Sequence, residues 1–185
     1  VKPAKVRRRL ESALAEGRIT TVWRDAFEVG RIDGLVVALT DDWVVLHELA
    51  DGVHLDGLVA LRLRDVSRVL FRDDDAYHRR ALAALGAEVA TYQVDADVDA
   101  RGLLARAQAD DRLVAVHLEV LRGEPMTLGR LLDLRRRRFV VHYIGRDGEW
   151  AREPERWRYR SVTRIEVGGR YLEALEQFGD PYPTD

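Results

Sequence analysis

Cysteine is absent from the chain. That excludes disulfides, thiolate metal sites, CxxC redox chemistry and a cysteine nucleophile. Lysine is nearly absent: of the 30 basic residues only Lys2 and Lys5 are lysine, and the rest are arginine. With abundant alanine, valine, leucine and aspartate, this resembles the codon bias of a GC-rich, bacterial genome. An arginine at a given site therefore need not reflect a requirement for guanidinium chemistry. A large excess of either charge is also lacking. The net charge of -2 argues against a generally basic nucleic-acid coat and leaves room for a local basic patch. No run approaches the roughly 18 apolar residues of a membrane span. Residues Val1–Glu11 are polar and basic without an apolar h-region, so no signal peptide is expected. The only serines are Ser12, Ser67 and Ser161, none in a nucleophile elbow. GxxxxGK(S/T), GxGxxG and GxSxG patterns are missing, so no nucleotide, metal or other cofactor is expected. What is present is a globular chain, expected to be cytoplasmic: 185 residues, 46% apolar and 34% charged. That length suits one compact unit, or two small ones of roughly 80–90 residues each.

The chain reads twice. Gly34-Leu-Val-Val-Ala-Leu lies beside Gly129-Arg-Leu-Leu-Asp-Leu at an offset of 95, where Leu39 meets Leu134, Val45 meets Val140 and His47 meets His142. Arg64, Val66 and Arg68 meet Arg160, Val162 and Arg164 at an offset of 96, and Tyr77 meets Tyr171 at 94. Small drifts of this kind are what loops of unequal length produce. The shared apolar pattern points to an internal duplication. Residues 1–86 are expected to form a first repeat, 87–99 a connector and 100–185 a second repeat.

Each repeat predicts a helix, five short strands and a closing helix. Ala4–Glu16 carries Val6, Leu10 and Leu14 at helical spacing and ends at Gly17. Ile19–Phe27, Gly34–Leu39, Trp43–Leu49, Leu58–Arg64 and Arg68–Phe71 read as strands, and Asp75–Leu85 as a helix. In the second repeat Ala100–Ala109 is the leading helix, with Asp97 or Asp99 near its cap. Leu113–Leu121, Thr127–Leu134, Phe139–Ile144, Arg156–Arg160 and Arg164–Val167 follow as strands, and Tyr171–Gln177 as a helix. Glu88–Val94 is ambiguous; a linking strand that ties the two halves together is one reading.

A short helix followed by five short strands, with glycine at the second, resembles the Sm-like, SH3-like small β-barrel. The implied fold is mainly β with flanking helices (α+β): two tandem five-stranded barrels related by a pseudo-two-fold. The Sm pattern places an apolar residue, an aspartate and an asparagine two, six and ten positions after the glycine. Here those positions hold Val36, Thr40 and Val44, then Leu131, Arg135 and Phe139, so only the apolar residue matches. The family's closing Arg-Gly becomes Arg64-Asp65 and Arg160-Ser161. The resemblance thus implies the shape without the family's RNA-binding residues. It also implies a capacity to form homo-oligomers, because such barrels associate through edge strands.

Arg135-Arg136-Arg137-Arg138 falls at the turn between the second and third strands of the second repeat. Four guanidiniums on one turn attract phosphate by charge and forked hydrogen bonds. Arg158 and Arg160 lie on the fourth strand beside Trp157 and Tyr159, which offer stacking surfaces if exposed. The plain alternative is a solvated turn with carboxylates nearby and the aromatics in the core. The matching turn of the first repeat, Thr40-Asp41-Asp42-Trp43, repels phosphate. Arg7-Arg8-Arg9 reads as the polar side of an amphipathic helix. His47 and His142 stand without HxH or HxxxH neighbours and read as structural hydrogen-bonding residues rather than metal ligands or bases. His54, His78 and His117 show no ligand spacing. Asp73-Asp74-Asp75 reads as a helix start rather than a cation site.

No acid, base and nucleophile set assembles from these residues, so an enzyme is the least favoured function. A non-catalytic interaction or scaffold module binding a protein or peptide is expected first. An RNA- or DNA-binding protein using Arg135, Arg136, Arg137 and Arg138 with Arg158 and Arg160 is the alternative. No membrane partner is expected.

Overall fold

Helical spacing and strand alternation become four helices and ten strands among the residues that the computed structural model describes, 3–27, 30–72, 75–123 and 125–183. The chain is mainly β, of the α+β class, and divides into two compact units, Val1–Val98 and Asp99–Asp185. The first contains α1 (Pro3–Glu16), β1 (Ile19–Trp23), β2 (Arg31–Leu39), β3 (Trp43–Ala50), β4 (His54–Arg62), β5 (Arg68–Phe71) and α2 (Asp75–Ala84). The second contains α3 (Ala100–Ala109), β6 (Val114–His117), β7 (Met126–Leu134), β8 (Arg138–Tyr143), β9 (Glu155–Arg158), β10 (Arg164–Val167) and α4 (Arg170–Phe178). No helix among the described residues is long and apolar enough to cross a membrane.

Both units arrange their strands alike: β5-β1-β2-β3-β4 in the first and β10-β6-β7-β8-β9 in the second. Neighbouring strands within each unit are antiparallel. In neither unit does a described ladder join the two end strands of that order to one another. The registers also correspond. Gly34 faces Glu48 and Leu39 faces Val44 across β2–β3, with a bulge between Val36 and Ala38. Gly129 faces Tyr143 and Leu134 faces Phe139 across β7–β8, with a bulge between Leu131 and Asp133. A bulge bends its strand and sharpens its twist. The strands approach too closely at the glycines for a side chain. A Cβ on Gly34 would lie 2.5 Å from the His47 carbonyl oxygen, and one on Gly129 would collide with the His142 carbonyl oxygen.

Several boundaries differ from the sequence expectation. β1 stops at Trp23 because the chain turns at Arg24, whose carbonyl accepts from the Phe27 N–H. Likewise β6 ends at His117, before a turn in which the Leu121 N–H bonds to the Leu118 carbonyl. The expected fourth strands hand over to 3₁₀ turns at Leu63–Asp65 and Tyr159–Ser161. Glu88–Val94 forms no strand: the Ala90 N–H donates to the His47 side chain instead of a ladder. Asp73 and Asp74 lie outside the described residues, whereas Asp75 accepts from the Ile19 N–H and pairs with Arg79.

The cores follow the elements. In α1, Val6, Leu10 and Ala13 are buried, and Leu14 is exposed because it lies past the edge of that face. These side chains pack with Val22, Val36, Val44, Leu46, Val59, Leu61 and Val69. In the second unit α3 buries Ala100, Leu103, Leu104 and Ala107 and packs on β7. Leu172 and Leu175 of α4 join Leu113, Ala115, Leu128 and Ile144. Each leading helix also sends an arginine to the following hairpin turn. Arg7 donates to the carbonyls of Thr40 (3.0 Å) and Asp41 (2.6 Å), and Arg101 to that of Leu134 (3.4 Å).

Candidate functional site

Residues 135–138 form the β7–β8 turn, closed by the Arg135 N–H donating to the Arg138 carbonyl at 2.9 Å. Arg136 and Arg137 are therefore at the tip, and Arg138 opens β8. The β8–β9 register then places Arg158 directly opposite Arg138. One step further, Tyr159 and Arg160 lie in the 3₁₀ turn. Two segments about 20 residues apart in sequence thus converge. Arg136, Arg137, Arg138, Arg158, Tyr159 and Arg160, with Asp99, line a concavity of about 510 Å³. Arg135 is not part of it, because its Nε donates to the Asp133 carboxylate.

The electrostatics are lopsided. The side chains of Arg136, Arg137, Arg138 and Arg158 form no ion pair among the described residues. Like charges opposite one another across a ladder cost stability, so the Arg138–Arg158 pair is not explained by folding. The one carboxylate among the described lining residues, Asp99, caps α3 by accepting from the Gly102 N–H at 3.0 Å. The aromatics do less than the sequence suggested. Trp157 is half-buried and its indole N–H bonds to Glu155; the Tyr159 ring packs on Phe139 at 5.4 Å between centroids. Burial pushes the Tyr159 phenol above its ordinary pKa, and the nearby Arg101 guanidinium offsets part of this without meeting hydrogen-bond geometry.

The first unit handles the matching positions differently. Trp43 is buried, and Arg62 is buried and bonded to Asp65 at 2.6 Å. The turn backbone is held by Arg7 and by the Ala96 carbonyl. Of the Arg7-Arg8-Arg9 run, Arg7 and Arg9 bond backbone carbonyls and Arg8 bonds within its helix.

His47 and His142 are both engaged in internal hydrogen bonds. His142 is buried; its Nε2 donates to the Ala151 carbonyl at 2.7 Å and its Nδ1 meets the Tyr182 hydroxyl at 3.2 Å, so neither nitrogen is left for a substrate proton. His47 Nδ1 accepts from the Ala90 N–H at 3.0 Å. Burial lowers the His47 pKa below 6.5, partly offset by the Asp56 charge. The folded form therefore favours neutral His47, and its contribution is complete above pH 6.5 and is lost as pH falls from there toward the lower folded value. Urea unfolding at pH 7.5 and pH 5 is expected to show a smaller pH-dependent loss in His47→Gln than in the parent. Equal losses in both proteins would exclude this role.

One polar cluster had no sequence signal. His117 Nε2 meets Glu166 at 2.7 Å and Arg164 meets the same carboxylate at 2.7 Å. Burial raises the Glu166 pKa, but the His117 hydrogen bond and the Arg164 and His117 charges outweigh it and hold the carboxyl below its usual range. These residues meet only because β6 and β10 are paired. No group of three or more metal-ligating side chains occurs among the described residues. No protein-family model matches the chain, and comparison with curated proteins finds no match either.

Proposed function

We propose that the chain is a non-catalytic interaction module of two duplicated Sm-like repeats, and that its second unit binds single-stranded nucleic acid through the arginine-lined concavity. The observation that carries this reading is the gathering of five arginines around one concavity, with Arg138 opposite Arg158 and, among the described residues, no ion pair on four of the guanidiniums. A volume of about 510 Å³ suits a nucleotide-sized group. Guanidiniums grip phosphate by charge and forked hydrogen bonds, which are indifferent to base identity. The aspartate and asparagine of the Sm pattern are missing, so recognition rests on the backbone phosphates more than on bases. The shared strand order, bulge position and glycine contacts support duplication of a small barrel-like sheet.

The test is fluorescence anisotropy with short single-stranded RNA and duplex DNA across a salt series. Micromolar binding of the single strand is expected at low salt, weakening in proportion to the number of phosphates contacted. Absence of binding at about 20 mM salt, where the counterion term is most favourable, would sink the reading.

A protein or peptide partner is the second reading. Tyr171 and Phe178, seven residues apart on one face of α4, are 54% and 78% exposed. That pattern suits helix-face docking. Failure of every oligonucleotide in the salt series would leave this reading in place.

A further inference from the structure

We infer that a second concavity of the Asp99–Asp185 unit is a binding site for an organic ammonium cation. The cavity measures about 700 Å³, and its aromatic lining residues are His142, Trp150 and Tyr182. The Trp150 and Tyr182 rings meet at 84° with centroids 4.9 Å apart, His142 and Tyr182 at 86° and 5.5 Å, and His142 and Trp150 at 53° and 5.3 Å. Three rings meeting at steep angles form a corner rather than a stack. Such a corner fits a rounded ammonium head better than a flat guanidinium, which prefers one open ring face.

Charge points the same way. Glu149, Glu153 and Asp180 also line the cavity, against one cation, Arg152. The three carboxylates make no ion pair among the described residues. Of the three rings, Tyr182 already carries a cation on one face: the Arg130 guanidinium, which does not line the cavity, lies 4.7 Å from its centroid.

The walls are held in place before any ligand arrives. The Asp180 N–H donates to the Gly148 carbonyl and the Trp150 indole N–H donates to the Asp180 carbonyl, each at 2.9 Å. Gly148 has φ +83°, and a Cβ there would lie 2.9 Å from the Gly179 Cα, so the close approach that seats residues 180–183 needs glycine. The His142 ring is fixed by the Ala151 carbonyl and the Tyr182 hydroxyl. The site is separate from the arginine concavity, so the two proposals stand or fall independently.

Choline and its neutral twin 3,3-dimethylbutanol, the same shape without the charge, provide the test. NMR titration follows the indole N–H of Trp150. Choline is expected to saturate the shift and to bind at least tenfold more tightly than the alcohol. Glu153→Gln, an exposed change that leaves the fold alone, is expected to weaken choline severalfold, and Tyr182→Leu to abolish saturation. Equal binding of the twins, no shift at about 20 mM choline, where even a weak complex would register, or an unchanged affinity in Glu153→Gln would each overturn the proposal.

Discussion

Replacing Arg136, Arg137, Arg138 and Arg158 together by alanine is expected to weaken single-stranded RNA binding at low salt by about 100-fold or more, roughly 2.7 kcal/mol. The dependence of log affinity on log salt should flatten as well. Each phosphate contact on a single strand contributes about 0.7 to that slope. Four lost contacts therefore remove up to about 3. Arg135→Ala is the internal control. Its guanidinium is paired to Asp133 and lies outside the concavity, so a change within about twofold is expected, a few tenths of a kcal/mol. The fourfold variant should fold at least as well as the parent. Removing like charges from opposed positions on β8 and β9 relieves repulsion of a few tenths of a kcal/mol. Loss of binding with an unchanged unfolding midpoint then isolates the concavity. An equally large effect from Arg135→Ala would show that net charge, not the gathered set, attracts the ligand.

Gly129→Ala is expected to destabilise the protein by about 3 kcal/mol or more. The group that a new Cβ meets is the backbone carbonyl of His142 on the neighbouring strand, which cannot rotate aside as a side chain would. Relief requires β7 and β8 to separate locally, weakening the ladder beside the bulge. Gly34→Ala faces the same obstacle from the His47 carbonyl at 2.5 Å, a slightly wider approach, and should cost somewhat less. Urea unfolding measures both. A loss below about 1 kcal/mol at Gly129 would mean that the strands are not held at this separation.

Much of the fold was legible because its signals are local. β5 and β10 occupy the expected spans Arg68–Phe71 and Arg164–Val167, and α3 occupies Ala100–Ala109. Strand alternation, capping residues and terminal glycines act within a few residues of where they are written. The errors sit where a distant partner decided the outcome. Leu14 repeats at helical spacing, yet Ala13 is the residue that faces the core. Glu88–Val94, which the sequence left open, forms no strand, because a side-chain nitrogen 43 residues away takes the Ala90 N–H.

The candidate sites divide along the same line. Arg135–Arg138 stands out in the sequence as a run, but nothing in the run says that its first member is neutralised by Asp133 and its last faces Arg158. The aromatic corner had no signal at all. The Ile144–Trp150 bridge and the Ala151 carbonyl bring Trp150 to His142, and the Gly148–Gly179 approach seats the segment that carries Tyr182.

By itself, the sequence determined the β-rich character, the helix and strand order of both halves, and the exclusion of thiol chemistry. Those properties follow from periodicity, composition and steric rules that each short segment carries alone. Only the tertiary structure decided which arginines are engaged. Arg7 and Arg9 hold backbone carbonyls and Arg62 holds Asp65, while Arg138 and Arg158 face each other. Whether a guanidinium finds a carbonyl, a carboxylate or another guanidinium depends on cross-strand register and on which helix lies over which turn, and contacts of that range leave no trace in residue spacing.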